Sequence, residues 1–177
     1  MSTANQPANQ NFLSQLGFSF KVKKLPHVNY FAQTINLPGI NLGETIGQPS
    51  PFVTIPIPGD HLQFNEMNIT FRIDEDFANY LEIHNWMYGL GFPENFTAYK
   101  ALDDAETLTP GGGDGLKSDG TLMLLNSAMN PNVEIIFRDM YPVSMSDVEF
   151  TTTGTDVDYV LSTISFRYQF YTIRKLP

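Results

Sequence analysis

From Leu62 to Ile73 the chain alternates apolar and polar positions as a half-buried strand requires. Leu62 and Phe64 come first, then Met67, Ile69, Phe71 and Ile73 against Asn68, Thr70 and Arg72. Asn65 and Glu66 separate the two halves where a period of two allows one residue, which predicts a bulge. Asp74, Glu75 and Asp76 then place a capping side chain and negative charge at the positive end of a helix. From Phe77 the period becomes helical, with Phe77, Tyr80, Leu81, Ile83, His84, Met87 and Tyr88 on one broad face. Gly89 and Gly91 stop the helix, and Pro93 bars a restart. This is the one helix the pattern predicts, and its place is over an open sheet face.

Other stretches read as strands. Phe18, Phe20 and Val22 alternate with Ser19, Lys21 and Lys23. Pro26 interrupts, and Val28 to Leu37 gives a second strand. Leu37-Pro38-Gly39-Ile40 is expected to turn, with Gly39 at positive φ. Gly43 to Pro51 reads as loop, and Phe52 to Ile57 as an edge strand because Pro56 lacks a ladder donor. Pro58-Gly59-Asp60 turns the chain into the stretch at Leu62. Asn95 to Leu102 fits either a short strand or an irregular cover. Residues 103–120 form an acidic, Gly-rich loop, followed by a short strand from Thr121 to Leu125 and a turn at Pro131. Val133 to Phe137 and Val148 to Thr152 flank a break at Pro142. After a turn at Thr153-Gly154-Thr155, the last strand sets Val160, Ile164, Phe166, Tyr168 and Phe170 on one face. The sum is one α+β domain over 1–177: a mainly antiparallel β-sandwich or open barrel with one flanking helix, preceded by an N-terminal arm over 1–16.

Composition sharpens this. The 177 residues suffice for a hydrophobic core, and fourteen Phe and eight Tyr favour β structure. Charged residues make up 16%, below the usual quarter, which points to a surface that meets protein. The net charge is −9, and the basic clusters, Lys21-Lys23-Lys24 and Arg174-Lys175, lie near opposite ends. That argues against sequence-specific DNA binding but is compatible with an acidic wall past which DNA slides. With no cysteine there is no disulfide, thiolate metal site or cysteine nucleophile. No apolar run reaches the length of a membrane span, and the first ten residues lack the pattern of a secretory signal, so the expected setting is the cytosol.

Candidate chemistry is sparse. His27, His61 and His84 are far apart in sequence. His61 beside Asp60 could serve as a base with its partner or as a metal ligand, and equally as a loop histidine beside a turn residue. Gly111 to Ser118 (GGGDGLKS) imitates a phosphate loop, but Leu116 stands between the last glycine and Lys117. Asp74, Glu75 and Asp76 lack the spacing of a calcium loop, and a helix start explains them. Asn68-Ile69-Thr70 and Asn95-Phe96-Thr97 match glycosylation acceptors that carry no meaning without secretion. No catalytic, cofactor-binding or metal-binding residue is assigned.

Ile69-Thr70-Phe71-Arg72-Ile73-Asp74-Glu75-Asp76, with Tyr80 and Trp86-Met87 after it, resembles the tail terminator family of contractile-tailed bacteriophages, also called tail completion and sheath stabiliser proteins. Val53 to Asp60 and the ending, MSDVEFTTT from Met145 followed by Val160 to Ile173, add to the resemblance, and Phe20 to Ile40 matches its start more loosely. The N-terminal arm and the loop at 103–120 fall outside it. The resemblance implies a tail-tube-like fold and a six-fold ring of copies that caps the tail tube, anchors the last sheath layer and meets the neck or connector protein. DNA would pass through an acidic lumen without specific binding and without any membrane, in a virion assembled in the host cytoplasm. Two readings compete within the fold: the terminator, and a tube subunit or baseplate initiator. Outside it stand a small hydrolase or metal-dependent enzyme centred on His61 and Asp60, and a carbohydrate- or peptide-binding β-sandwich drawing on exposed aromatics.

Overall fold

A computed structural model of the chain describes residues 10–47, 52–53, 55–91, 96–104, 115–153 and 158–176. Within them the order is β1 (Phe18–Val22), α1 (Pro26–Phe31), β2 (Ala32–Ile35), β3 (Ile40–Asn41), β4 (Glu44–Ile46), β5 (Pro56–Pro58), β6 (Gln63–Phe64), β7 (Met67–Arg72), α2 (Ala78–Gly91), α3 (Thr97–Asp104), β8 (Ser118–Leu125), β9 (Pro131–Met145), β10 (Leu161–Arg167) and β11 (Phe170–Lys175). Residues 1–9 of the expected arm, 105–114 of the Gly-rich loop, the stop at Pro93 and most of the turn after Thr153 lie outside the described residues.

Seven strands form one antiparallel sheet in the order β1-β8-β9-β10-β7-β2, with β11 also on β9. The 15-residue β9 belongs to both halves. Its first part pairs with β8 on one side and β11 on the other; Tyr141 to Met145 pairs with β10. Two irregularities let it bend. The β8 ladder skips between Ser118 and Gly120, where Asp139 takes a φ of 54° and its amide donates to Asp119 Oδ1 at 3.2 Å. The β10 ladder shifts between Ser165 and Phe166, opposite Pro142. The missing donor of Pro142 therefore falls where the ladder is already interrupted, which is why one strand runs where a break was expected. Val148 to Thr152 is not a strand, and the final strand is divided at Tyr168 and Gln169 into β10 and β11.

Both half-sheets turn their apolar faces to one core. Phe20, Leu122, Ile135 and Phe137 come from one half, and Met67, Ile69, Phe71, Ile164 and Phe166 from the other. The α+β barrel-like fold stands as expected, but with three helices among the described residues rather than one. Pro26 starts α1 instead of interrupting a strand, because its fixed φ and missing amide suit a first helical turn. The Asn29 side chain then accepts from the Val22 amide and donates to the Val22 carbonyl, both at 2.9 Å. The segment left open at 95–102 is helical from Thr97 and packs on α2.

The α2 helix begins one residue after Phe77, whose φ is 59°. Asp74 caps its start, accepting from the Asn79 amide at 3.2 Å. The buried stripe is Asn79, Ile83, Trp86 and Gly89, whereas Leu81 and His84, expected inside, are exposed. A buried asparagine displaced the expected face: Asn79 donates to the Arg72 carbonyl at 2.7 Å and so replaces an apolar residue in the stripe. Gly89 does not end the helix, since Leu102 of α3 occupies the space a Cβ would need.

Between β2 and β7 the chain extends as a narrow β-arm. Ile35 pairs with Ile69, Ile40 with Phe64, Glu44 with Pro58, and the Gly47 amide donates to the Ile55 carbonyl at 3.0 Å. Gly43 to Pro51, expected as loop, thus contains β4. The expected bulge at Asn65 and Glu66 is a junction between β6 in the arm and β7 in the main sheet. No left-handed φ occurs at Gly39; the described glycine with positive φ is Gly43, at 72°.

Candidate assembly surfaces

The histidines do not converge on a reaction centre. His27 Nδ1 lies 2.5 Å from Glu82 Oε1, linking α1 to α2, and this hydrogen bond raises the histidine pKa above 6.5. His61 meets Asp60 at 2.6 Å with both side chains almost fully exposed, partway along the arm between β5 and β6. His84 stacks on Tyr88 at 5.6 Å. Among the described residues no three His, Cys, Asp or Glu side chains gather as a metal site, and no helix is long and apolar enough to cross a membrane. Lys117, next to the loop that imitates a phosphate site, directly precedes β8, and the start of that loop is outside the described residues.

Among the described residues, three surfaces expose apolar side chains or strand edges paired on one side only. The first is the arm, where Ile40, Leu42, Val53, Ile55, Ile57 and Leu62 are all exposed. A two-stranded ribbon has no core of its own, so this apolar surface stays wet unless another chain covers it. The second is a pair of sheet edges. The strands β1, β8, β9 and β11 alternate in direction, and among the described residues β1 and β11 are each paired on one side only. Four alternating strands leave two edges that run in opposite directions, so copies set side by side can pair antiparallel at every junction. The third is residues 10–16, where Phe12, Leu13 and Leu16 are exposed and Phe12 is 97% accessible.

The outer face of these four strands carries Lys21, Arg138 and Arg174 against Asp119 and Glu134. Arg138 pairs with Asp119, and Arg174 stands opposite Glu134 in the register. The acidic surplus of the chain therefore lies elsewhere, and this wall is of mixed charge.

Where the arm leaves the barrel, Phe64, Phe137, Tyr168 and Tyr171 form an aromatic cluster with ring separations of 5.1 to 6.1 Å. The Tyr168 hydroxyl donates to the Asn65 carbonyl at 3.0 Å, and the Tyr171 hydroxyl to the Pro38 carbonyl at 3.2 Å. Burial, with Tyr171 adding to it, pushes the Tyr168 pKa up to about 12. Sequence reading placed Tyr168 on the right face but missed both hydroxyl contacts, which join positions more than 100 residues apart.

This arrangement of antiparallel sheet, covering helices and β-arm resembles in fold chains from tail tubes and tube terminators of contractile systems. The tube-terminating cap of the anti-feeding prophage has it, with a TM-score of 0.59, 16% identity and 98% of both chains covered. So does a chain in the sheath/tube terminator of the extracellular contractile injection system PVC, with a TM-score of 0.56, 12% identity, and 94% of this chain and 99% of that one covered. A chain in the PVC sheath–tube complex gives 0.54 at 15% identity, covering 99% and 100%. In sequence, the tail tube terminator protein of Enterobacteria phage T4 is 24% identical over 179 residues, 95% of this chain and 94% of that protein. No protein-family model matches the chain. The resemblance to tail terminators, drawn above over most of the chain apart from the N-terminal arm and the 103–120 loop, is carried by sequence and fold likeness over 95% and 98% of the chain.

Proposed function

We propose that this chain is a structural component of a contractile tail that terminates the tail tube as a ring of copies. The observation that carries the reading is the sequence likeness to a tail tube terminator over almost all of both chains, on the same fold. The open edges of β1 and β11 supply the junctions of the ring, and the arm supplies an apolar surface for the layer beneath it. Six copies is the number the family resemblance implies. The same resemblance gives the ring a tube protein below, a sheath protein around it and a neck or connector protein above, in a virion assembled in the host cytoplasm. In such a ring the outer faces of β1, β8, β9 and β11 line the lumen, so DNA slides past balanced charge rather than an acidic wall. The reading includes no catalytic step.

A second reading, the tube subunit or its baseplate initiator, draws on the comparable likeness to a chain of a sheath–tube complex. Mixing the purified chain with bare tail tubes and imaging them separates the two. Terminator activity gives one added ring at a tube end and no further growth. Long tubes formed by the chain alone identify a tube subunit, and absence of both refutes the assembly reading.

A further inference from the structure

We propose that Tyr168 and Tyr171 are positioning residues for the arm, their hydroxyls holding its two strands, one each, at a fixed angle to the barrel. This rests on the reading that the arm docks on a neighbouring ring. The main ladder between the arm's strands ends at Ile35 and Ile69 and resumes at Ile40 and Phe64. Across the gap run two backbone bonds, Asn36 amide to Asn68 carbonyl at 3.3 Å and Asn65 amide to Gly39 carbonyl at 3.1 Å; the Asn36 side chain also accepts from the Asn68 amide at 2.6 Å and donates to the Glu66 carbonyl at 3.2 Å, and Pro38 has no amide to give. At the root of the arm the regular ladder is therefore replaced by a few irregular bonds on the β2–β7 side and a single one beside Gly39. Beside this root opens a polar cleft of about 820 Å3, lined by Asn36, Gln63, Asn65, Glu66, Arg167 and Gln169, which leaves the arm room to tilt. Against this tilt stand the Arg167–Glu66 ion pair, at 2.8 Å and on the cleft's exposed side, and the two buried-end hydroxyls, one on Pro38 just before β3 and the other on Asn65 just after β6.

The anchor point matters as much as the bonds. Tyr168 directly follows β10 and Tyr171 lies in β11, so both sit at the corner where the half-sheets meet on β9. The corner also sets the edge offered to the next copy in the ring. The arm's direction is thus referenced to the wall of the ring itself. From Ile40 to Gly47 the strand rises roughly 23 Å, so a tilt of about 10° displaces the tip by about 4 Å, enough to miss its seat.

Replacing both tyrosines with phenylalanine removes the hydroxyls and keeps the rings. Hydrogen–deuterium exchange read by mass spectrometry is expected to quicken about tenfold in peptides spanning 37–47 and 56–66, with β9 and β10 unchanged, and capping of bare tubes is expected to weaken about tenfold. Tyr141→Phe, on the exposed part of β9, is the control and changes neither. Unchanged exchange in the arm overturns the proposal, as does an equal rise through β9 and β10, which would make the tyrosines general core residues. If the double variant fails to fold, the single variant Tyr171→Phe is read in the same way. Wild-type protein that caps no tubes refutes the functional reading alone, because arm exchange still decides the role of the tyrosines.

Discussion

The indole of Trp86 donates from Nε1 to the carbonyl oxygen of Leu116 at 2.9 Å, tying the middle of α2 to the turn that enters β8. The same ring is buried, lies 6.1 Å from Phe166 and has the Lys24 ammonium over its face at 5.3 Å. Lys24 also donates to the Gly115 carbonyl, so one aromatic joins helix, sheet and the C-terminal foot of the acidic loop. Trp86→Ala is expected to cost about 3–5 kcal/mol in chemical denaturation, since it opens a cavity and leaves a carbonyl unpaired. A loss below about 1 kcal/mol would mean that α2 contributes little to closing the core.

How far the sequence revealed this architecture depends on whether local pattern and tertiary role agree. They agree in β1 and β7, where alternation matches the buried face. They part at Pro142, which reads as a break but sits in a ladder already shifted by a bulge. They part again at Asn79, a polar residue whose partners are backbone groups of the preceding strand and turn. The arm was hidden because its apolar residues lack a core of their own to face. What identified the assembly surfaces was pairing: which strand edges remain open is a property of the whole sheet.

The ion pair between His27 and Glu82 makes stability depend on pH with a definite sign. The hydrogen bond and charge of Glu82, with a smaller contribution from Asp74, raise the folded pKa of His27 above 6.5 against a small opposing effect of burial. The stabilisation is therefore complete below that unfolded value and is lost as pH rises through the raised folded value. Thermal melting from about pH 5.5 to about pH 8.5 should show a decline in the wild type that flattens in Glu82→Gln. A wild-type profile that rises over this range would contradict the assignment.

Substitutions on the arm should separate assembly from folding. Val53 and Ile57 are exposed at 64% and 49%, so Val53→Asp and Ile57→Asp are expected to change stability by no more than about 0.5 kcal/mol. Capping of bare tubes should nonetheless be abolished, because a carboxylate would have to be buried against the neighbouring layer. Retained capping would remove the arm from the interface.

The central claim is that copies join through the open edges of one four-stranded sheet to close the end of a tail tube. A cryo-electron microscopy reconstruction of the capped tube end tests it most directly. The account predicts a single terminal ring in which β11 of each copy lies antiparallel to β1 of the next, with every arm turned toward the tube. A terminal ring whose copies meet elsewhere, leaving both edges exposed to solvent, would contradict it.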